Sequence, residues 1–407
     1  TLPTRSSIRK NTDSYVFIRI NCTWCSIVKI SMYFFDTTKN TIQSILDRKS
    51  SESFVVSDID LDISNFVGLS LYNAVLFKET QNSIYEQKLY IILENLLDVV
   101  QKYPVKVNLI KGLSGVLWLL TYLQKQRIME VESELINQYQ SIIIREMSNY
   151  LDINCWSYLK GYIGCLLALP PHESLYKPLF DLWETQLEKK GKIDSNSYPD
   201  MTNLGMPYGI LGVLYIANEA ILMNKCVDQA QNIRTYSLTA IQDAIIYDKN
   251  SDQYRFPAIA EDPYECRTAW CYGELTMAYQ LYRTAILTEN KKMEENAIRI
   301  AEMSIDKLTQ ENAMIYDTSL LLGSAGNLLL YKCLRNQTGL QCFSKGTKKW
   351  EKLTIDILNY HGYKMMNRYT KVLYNDYSVL EGLTGVYLTL YSDDHSWFNF
   401  LMMNSLY

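Results

Sequence analysis

Six glycine-rich tetrads recur along this chain at intervals of about 50 residues, and this repeat constrains the fold more than any other sequence feature. Five have the form GxxG, and one has lost its second glycine: residues 112–115, 161–164, 209–212, 273–276, 323–326 and 382–385. A strongly apolar run follows each tetrad, as in residues 213–223. Glycine permits a tight turn and a close backbone approach at such a point. Residues 68–70 are interpreted as a degenerate first copy.

The segments between these tetrads have apolar residues at spacings of three and four, which is typical of amphipathic helices. Seven are predicted, at residues 41–49, 85–102, 131–151, 175–190, 228–247, 293–308 and 348–360. A helix that is apolar on all sides must be buried, so amphipathic helices are expected to cover the apolar ones. The alternation predicts an all-α fold without strands, an (α/α) toroid of six to seven helical hairpins. Any functional site is expected where the glycine-rich turns converge.

The charge and cysteine content limit the classes of partner and cell compartment. The net charge is -4 and lysines and arginines form no block, which argues against a nucleic-acid partner. We find no apolar run long enough to span a membrane. Nine scattered cysteines, including the CxxC of Cys22 and Cys25, favour reduced thiols in a cytoplasm. We expect an N-terminal arm over residues 1–38 and one toroid domain over residues 39–407.

The most distinctive stretch is RTAWCYG at residues 267–273, where Cys271 precedes an apolar helix. A helix N-terminus favours negative charge, so this thiol could act as a ligand or nucleophile, or it could be a buried apolar side chain. Together with NLGMPYGILGVL at residues 203–214 and LEGLTG at residues 380–385, the stretch resembles motifs of the lanthionine synthetase C-like family. Asp393, Asp394 and Trp397 are similar to the family's ending. The resemblance covers residues 40–407.

The resemblance implies a cytoplasmic enzyme, either soluble or peripheral at a membrane, that acts in lantibiotic biosynthesis. Its zinc ion, bound by two cysteines and one histidine, lowers the pKa of a substrate thiol. The thiolate adds to dehydroalanine or dehydrobutyrine, and an acid protonates the resulting enolate carbon. The implied partners are a precursor peptide and, in a modification complex, the dehydratase and the transporter of the pathway. Which residues would bind the peptide is unknown from the sequence.

Only part of the implied site is present in this chain. Cys271 matches a zinc ligand, and Arg267 and Tyr272 match the residues that flank it. Leu321 and Leu322 occupy the positions of the other two ligands. Tyr208 replaces the family's histidine before Gly209, and Ser157 replaces an aspartate. Four other side chains that can bind a metal are weak candidates to replace the missing ligands: Cys266, His172, His361 and His395.

Three functions therefore remain open. The first is a lanthipeptide cyclase, with Arg267, Tyr272 and Tyr208 as the catalytic candidates. The second is a non-catalytic peptide-binding or scaffolding subunit, which explains why ligand positions became leucine; we expect no stoichiometric zinc here. The third is another toroid enzyme with a carboxylate pair, such as a glycosidase, for which four acids near the turns are candidates. These acids are Asp200, Glu265, Glu274 and Glu381.

Overall fold

The computed structural model describes residues 23–52, 63–249, 253–262, 267–307, 313–367 and 369–403. Within these residues the fold consists of α-helices in two concentric layers. In chain order they are α1 (Thr23–Ser51), α2 (Ile63–Thr80), α3 (Ser83–Lys102), α4 (Leu113–Lys125), α5 (Ser133–Asp152), α6 (Tyr162–Ala168), α7 (Glu173–Lys190), α8 (Ile210–Leu222), α9 (Val227–Ala244), α10 (Glu274–Leu287), α11 (Lys291–Met303), α12 (Ser324–Thr338), α13 (Gln341–Tyr360) and α14 (Leu383–Tyr391). This architecture confirms the predicted (α/α) toroid.

The even-numbered helices form the inner layer because their side chains are apolar nearly all round. In α8 every residue from Ile210 to Ala220 is buried. The odd-numbered helices form the outer layer and bury a single stripe, as Leu89, Leu93 and Leu96 do in α3. Each outer helix packs on the inner helix before it in the chain, except that α1 packs on α14. Burial of an apolar face thus sorts the helices into the two layers.

Glycines begin the inner helices from α4 to α14, as the tetrads predict. Each leading glycine is the N-cap residue of its helix. In five of the six turns, the amide of the following residue donates to the carbonyl oxygen of the residue six positions before the glycine. Ser324 N donates to Asp317 O at 3.0 Å in this way. In the five GxxG turns a Cβ on the second glycine would overlap a backbone oxygen, that of Leu109 at Gly115, so a larger residue there requires the backbone to shift.

Gly68 differs from the other tetrad glycines and is not a degenerate turn. It lies inside α2, where a Cβ would overlap the carbonyl oxygen of Tyr377. The amide of Tyr377 also donates to Asn65 Oδ1 at 2.8 Å. The first inner helix therefore contacts the loop before the last one, and this contact closes the ring.

The turns are linked to one another by backbone hydrogen bonds. Met206 N donates to Cys271 O at 2.8 Å, and Tyr158 N donates to Pro207 O at 2.9 Å. The loops before α6, α8 and α10 are thus bonded to one another, which fixes the relative positions of their residues at one end of the toroid.

A buried C-terminal segment fills the middle of the ring. Phe398–Leu401 forms a short 3-10 helix, and the ring of Phe400 lies 4.6 Å from that of Trp118, centroid to centroid. Trp270 Nε1 donates to the carbonyl oxygen of Leu401 at 3.2 Å. Tyr158 OH donates to the carbonyl oxygen of Phe400. The segment thus supports three different hairpins from the inside.

Two short antiparallel ribbons accompany the helices, and the sequence did not predict them. In the first, β1 (Ile246–Asp248) pairs with β2 (Gln253–Arg255), so α9 ends at Ala244 and not at residue 247. In the second, β3 (Met365–Met366) pairs with β4 (Leu373–Tyr374). Such short ribbons leave no alternating pattern that a sequence could reveal.

Other differences concern the ends of outer helices. The helix predicted at residues 41–49 belongs to the longer α1, which runs without a break across residue 38. The boundary between arm and domain stays a prediction. The helix predicted at residues 293–308 ends at Met303, where the 3-10 turn Ser304–Asp306 follows. No helix in the described part of the chain is long and apolar enough to cross a membrane.

Candidate functional site

All six glycine-rich turns contribute to one cavity of about 860 Å³. Each loop supplies residues from the few positions before its leading glycine, among them Lys111, Lys160, Tyr208, Tyr272, Leu322 and Glu381. The cavity therefore lies where the sequence places the site, at the end of the toroid where the inner helices begin. Its volume falls in the range typical of ligand-binding pockets.

One wall of the cavity contains the residues that stand out in the sequence. Cys271, Leu321 and Leu322 all line it, and Leu321 is 7% exposed. The backbone holds this wall in place, since Leu321 N donates to the carbonyl oxygen of Leu380 at 3.0 Å. Arg267 lies beside it and donates from Nη1 to the carbonyl oxygen of Leu322 at 3.4 Å. The structure thus brings Cys271 together with the two leucines.

Tyrosines form the next part of the wall. Tyr272 OH accepts from Asn203 Nδ2 at 3.1 Å and lies 3.4 Å from Tyr198 OH. The ring of Tyr198 meets that of Tyr208 edge-on at 5.9 Å. Burial, with the neighbouring Tyr198, holds the pKa of Tyr272 well above its usual value. Burial, with Tyr198 and Glu381 nearby, raises the pKa of Tyr208 to about 12. Both phenols are therefore protonated at neutral pH and can donate hydrogen bonds.

Asp317 is a cavity residue that the sequence reasoning missed. It is 4% exposed, and its Oδ1 accepts from Ser319 N at 2.8 Å and from Ser319 Oγ at 2.6 Å. Burial raises the pKa of this carboxyl, while the Ser319 donors and the positive charge of Arg267 oppose that rise. His361 also interacts electrostatically with Asp317. Burial lowers the pKa of His361.

A sequence signal for Asp317 exists but was not used. An Asn or Asp stands six positions before the leading glycine in three tetrads, at Asn203, Asp317 and Asp376. In each of these three loops the side-chain oxygen accepts a hydrogen bond from the backbone amide two residues later, which is typical of an Asx turn. Asp317 thus shapes its loop in addition to lining the cavity.

Three further cavity features were also missed. The ribbon of β3 and β4 forms part of the wall through Met365, Met366 and Tyr374. Three lysines line the cavity on other loops: Lys106, Lys111 and Lys160. Six of the 32 tyrosines line it as well, at positions 150, 198, 208, 272, 369 and 374. The high tyrosine content of the sequence was the available signal for a cavity lined by tyrosines.

Comparison with known proteins identifies the fold and the family. The model of the lanthionine synthetase C-like protein family matches residues 57–402, which is most of the chain. The chain belongs to the lanthionine synthetase C-like family. Among solved structures, nisin cyclase superimposes with a TM-score of 0.69 at 16% identity, over 90% of this chain and 98% of that one. That likeness shows the α-toroid fold. A search of curated proteins finds no match.

The zinc that is typical of the lanthionine synthetase C-like family does not fit the side chains found here. A zinc ion needs thiolate, imidazole or carboxylate donors, commonly three or four. Beside Cys271 the wall offers Leu321 and Leu322, which have no lone pairs. Within the described residues, no three His, Cys, Asp or Glu side chains are grouped to hold a metal ion. Cys266 lies outside those residues, so the expected lack of zinc stays a prediction.

The other candidate ligands lie away from Cys271 or outside the described residues. His172 caps α7 by accepting from Ser174 N, and His395 stacks on Phe398. Ser157, which lies on the loop that precedes α6, is buried. For the side chain of Cys25 and for Cys22 the structure gives no description.

Of the carboxylates considered for a glycosidase, the three that the structure describes do not form a pair at the cavity. Asp200 is an exposed residue that pairs with Lys190, and Glu274 pairs with the buried Lys307 at 3.3 Å. Of the candidates, Glu381 lines the cavity, while Glu265 lies outside the described residues. Membership of the lanthionine synthetase C-like family argues against this third function.

Proposed function

We propose that this protein binds a dehydrated precursor peptide of lanthipeptide biosynthesis in the cavity formed by the glycine-rich turns. The observation that carries the proposal is the convergence of all six turns on one large cavity in a chain of this family. Its tyrosines and methionines suit a peptide. Tyrosine supplies a large contact area at low entropic cost, and methionine adapts to irregular partners.

Part of the cavity suits the family's chemistry, the addition of a cysteine thiol to a dehydrated residue. The protonated phenols of Tyr208 and Tyr272, which line the cavity, could stabilise an enolate by donating hydrogen bonds. The guanidinium of Arg267 would assist from beside that wall, where it contacts the carbonyl oxygen of Leu322. Activation of the thiol is what this site lacks. A cysteine thiol has a pKa near 8.5, so without zinc only a small fraction is thiolate at neutral pH. The proposed catalytic contribution is therefore small.

The second candidate is a peptide-binding or scaffolding subunit without catalytic activity. Leu321 and Leu322 favour it, since both pack as ordinary apolar residues at the cavity wall. Such a subunit would receive the dehydrated peptide from the dehydratase or present it to the transporter of the same pathway. Both candidates bind the peptide at the same site. They differ in whether the protein accelerates the loss of the peptide's cysteine thiol relative to the peptide alone.

One experiment addresses both candidates. A synthetic peptide with one cysteine and one dehydroalanine is titrated into the protein by calorimetry, and its remaining thiol is followed by alkylation and mass spectrometry. We expect saturable binding and thiol loss no faster than for the peptide alone. Leu322→Trp, which fills the cavity, should abolish binding, whereas Leu340→Trp on an outer surface should not.

The outcomes separate the hypotheses. If the protein fails to bind the peptide, or if Leu322→Trp binds it unchanged, the proposed site is wrong. Accelerated loss of the thiol would instead establish the cyclase candidate, and bound zinc measured in the same sample would show that other donors complete a metal site.

A further inference from the structure

The lysines of the cavity wall lie on two neighbouring loops. Lys106 and Lys111 precede α4, and Lys160 precedes α6. All three are exposed. Lys106 and Lys160 form no ion pair with any residue that the structure describes. An exposed cation that lines a cavity and lacks an anionic neighbour is available to a ligand.

The opposite side of the cavity is apolar. Helices α4 and α6 are the second and third of the seven inner helices, so the loop before α12 and the β3–β4 ribbon lie across the ring from them. That side presents Leu321, Leu322, Met365 and Met366. The cavity therefore has a cationic side and an apolar side.

Exposed apolar side chains extend the apolar side beyond the cavity. On the β3–β4 ribbon Tyr369 is 76% exposed, Val372 60% and Leu373 39%. Contiguous exposed apolar residues next to a cavity are typical of a surface that a partner covers. A ligand that covers both the cavity and this ribbon must be longer than a small molecule, which fits an extended peptide.

Carboxylates line the cavity as well. Asp317 and Glu381 lie on the loops before α12 and α14. The positive charge of Arg267 acts on Asp317, so that side carries charges of both signs. The attraction for a peptide carboxylate therefore comes from Lys106 and Lys160, on the loops before α4 and α6.

We propose that the cavity selects peptides whose bound segment carries acidic side chains on one side and apolar side chains on the other. The acidic side chains contact Lys106 and Lys160, while the apolar ones contact the β3–β4 ribbon. This inference rests on the proposed function and adds a sequence preference to it. Two lysines on separate loops match several side-chain carboxylates better than one C-terminal carboxylate. The net charge of -4 argues against a nucleic acid.

The test compares two synthetic peptides that have the same apolar residues and amidated C-termini. One carries glutamates and the other carries glutamines at the same positions. Fluorescence anisotropy of labelled peptides measures the affinity of the intact protein. We expect tighter binding of the glutamate peptide, and a loss of that advantage as salt rises, because exposed charges are screened.

Charge reversal locates the cations. In the double variant Lys106→Glu, Lys160→Glu, we expect the affinity for the glutamate peptide to fall about tenfold and that for the glutamine peptide to change little. The matched control is Lys125→Glu, Lys225→Glu, which makes the same change in net charge at the other end of the inner helices. That control should bind both peptides as the unaltered protein does.

The results distinguish this inference from the function on which it rests. If both peptides bind equally and Leu322→Trp abolishes binding of both, the peptide site stands and the acidic preference is wrong. If both double variants lose the same affinity for the glutamate peptide, the acidic preference is likewise wrong, because the change in net charge alone would explain the loss. If the protein binds neither peptide, the proposed function fails as well.

Discussion

At the scale of single residues, the chemistry of the cavity depends on Cys271, Leu321 and Leu322. The thiol of Cys271 and the isobutyl groups of Leu321 and Leu322 line the same wall. Burying a leucine side chain contributes roughly 1.5–3 kcal/mol to stability, so these residues stabilise the wall while providing no ligand. Two positions that the family resemblance assigns to zinc ligands are thus apolar in this chain.

Restoring the two missing donors should create a metal site. In the double variant Leu321→Cys, Leu322→His, we expect measurable zinc binding through Cys271 and the two new side chains, at some cost in stability because apolar packing is lost. Zinc stoichiometry by mass spectrometry of metals checks this. Adding Cys271→Ser to the double variant should remove the metal; if zinc remains, Cys271 is not a ligand.

A second residue-scale prediction concerns the glycines of the turns. Gly115→Ala should lower the free energy of unfolding by about 3 kcal/mol, because its Cβ would overlap the carbonyl oxygen of Leu109. Gly339→Ala is the control. It has φ of 70° but nothing within 4 Å, so its cost should be only about 1 kcal/mol. Urea unfolding measures both, and equal costs would refute the role of steric exclusion.

At the scale of elements, the order and type of most helices could be predicted from the sequence. The periodicity of apolar residues is set by burial, and burial is what sorts inner from outer helices. The end of α9 could not be predicted, because Ile245 and Ile246 continue its apolar spacing and only the pairing of β1 with β2 ends it. Asp317 was missed for a related reason, since its burial depends on loop contacts that carry no periodicity.

An element-scale prediction concerns the junction of α8 and α10. Arg283 Nη2 donates to Glu219 Oε1 at 3.0 Å, and the arginine side chain is 1% exposed. Glu219→Gln should lower the free energy of unfolding by about 3–5 kcal/mol, because it leaves a buried charge uncompensated.

The control for this prediction is an exposed ion pair. Lys349 contacts Asp306 at 2.8 Å on the outer surface, so Asp306→Asn should cost less than about 1 kcal/mol. Thermal and urea unfolding of both variants give the comparison. A small effect of Glu219→Gln would show that Arg283 finds other compensation.

At the scale of the whole molecule, the C-terminal segment links the core to the site. Phe400→Ala should lower the free energy of unfolding by about 3–5 kcal/mol, since the buried ring packs against Trp118. It should also weaken peptide binding, because the neighbouring Leu401 accepts the hydrogen bond of Trp270, which precedes Cys271. Tyr360→Ala, at a position 87% exposed, is the control and should change neither. Unchanged binding in Phe400→Ala would mean that the segment stabilises the ring without positioning the site.

The closure of the ring has a consequence for how the chain acquires its structure during synthesis. Contacts within each helical hairpin are local, so the hairpins can form one after another as they leave the ribosome. The closing contacts are not local: Tyr387 OH donates to Gln43 Oε1 across 344 residues. Until α14 is made, α1 lacks its inner partner and one flank of α2 stays uncovered. A nascent chain arrested before residue 383 would therefore be an open arc with exposed apolar flanks, and a substrate for chaperones.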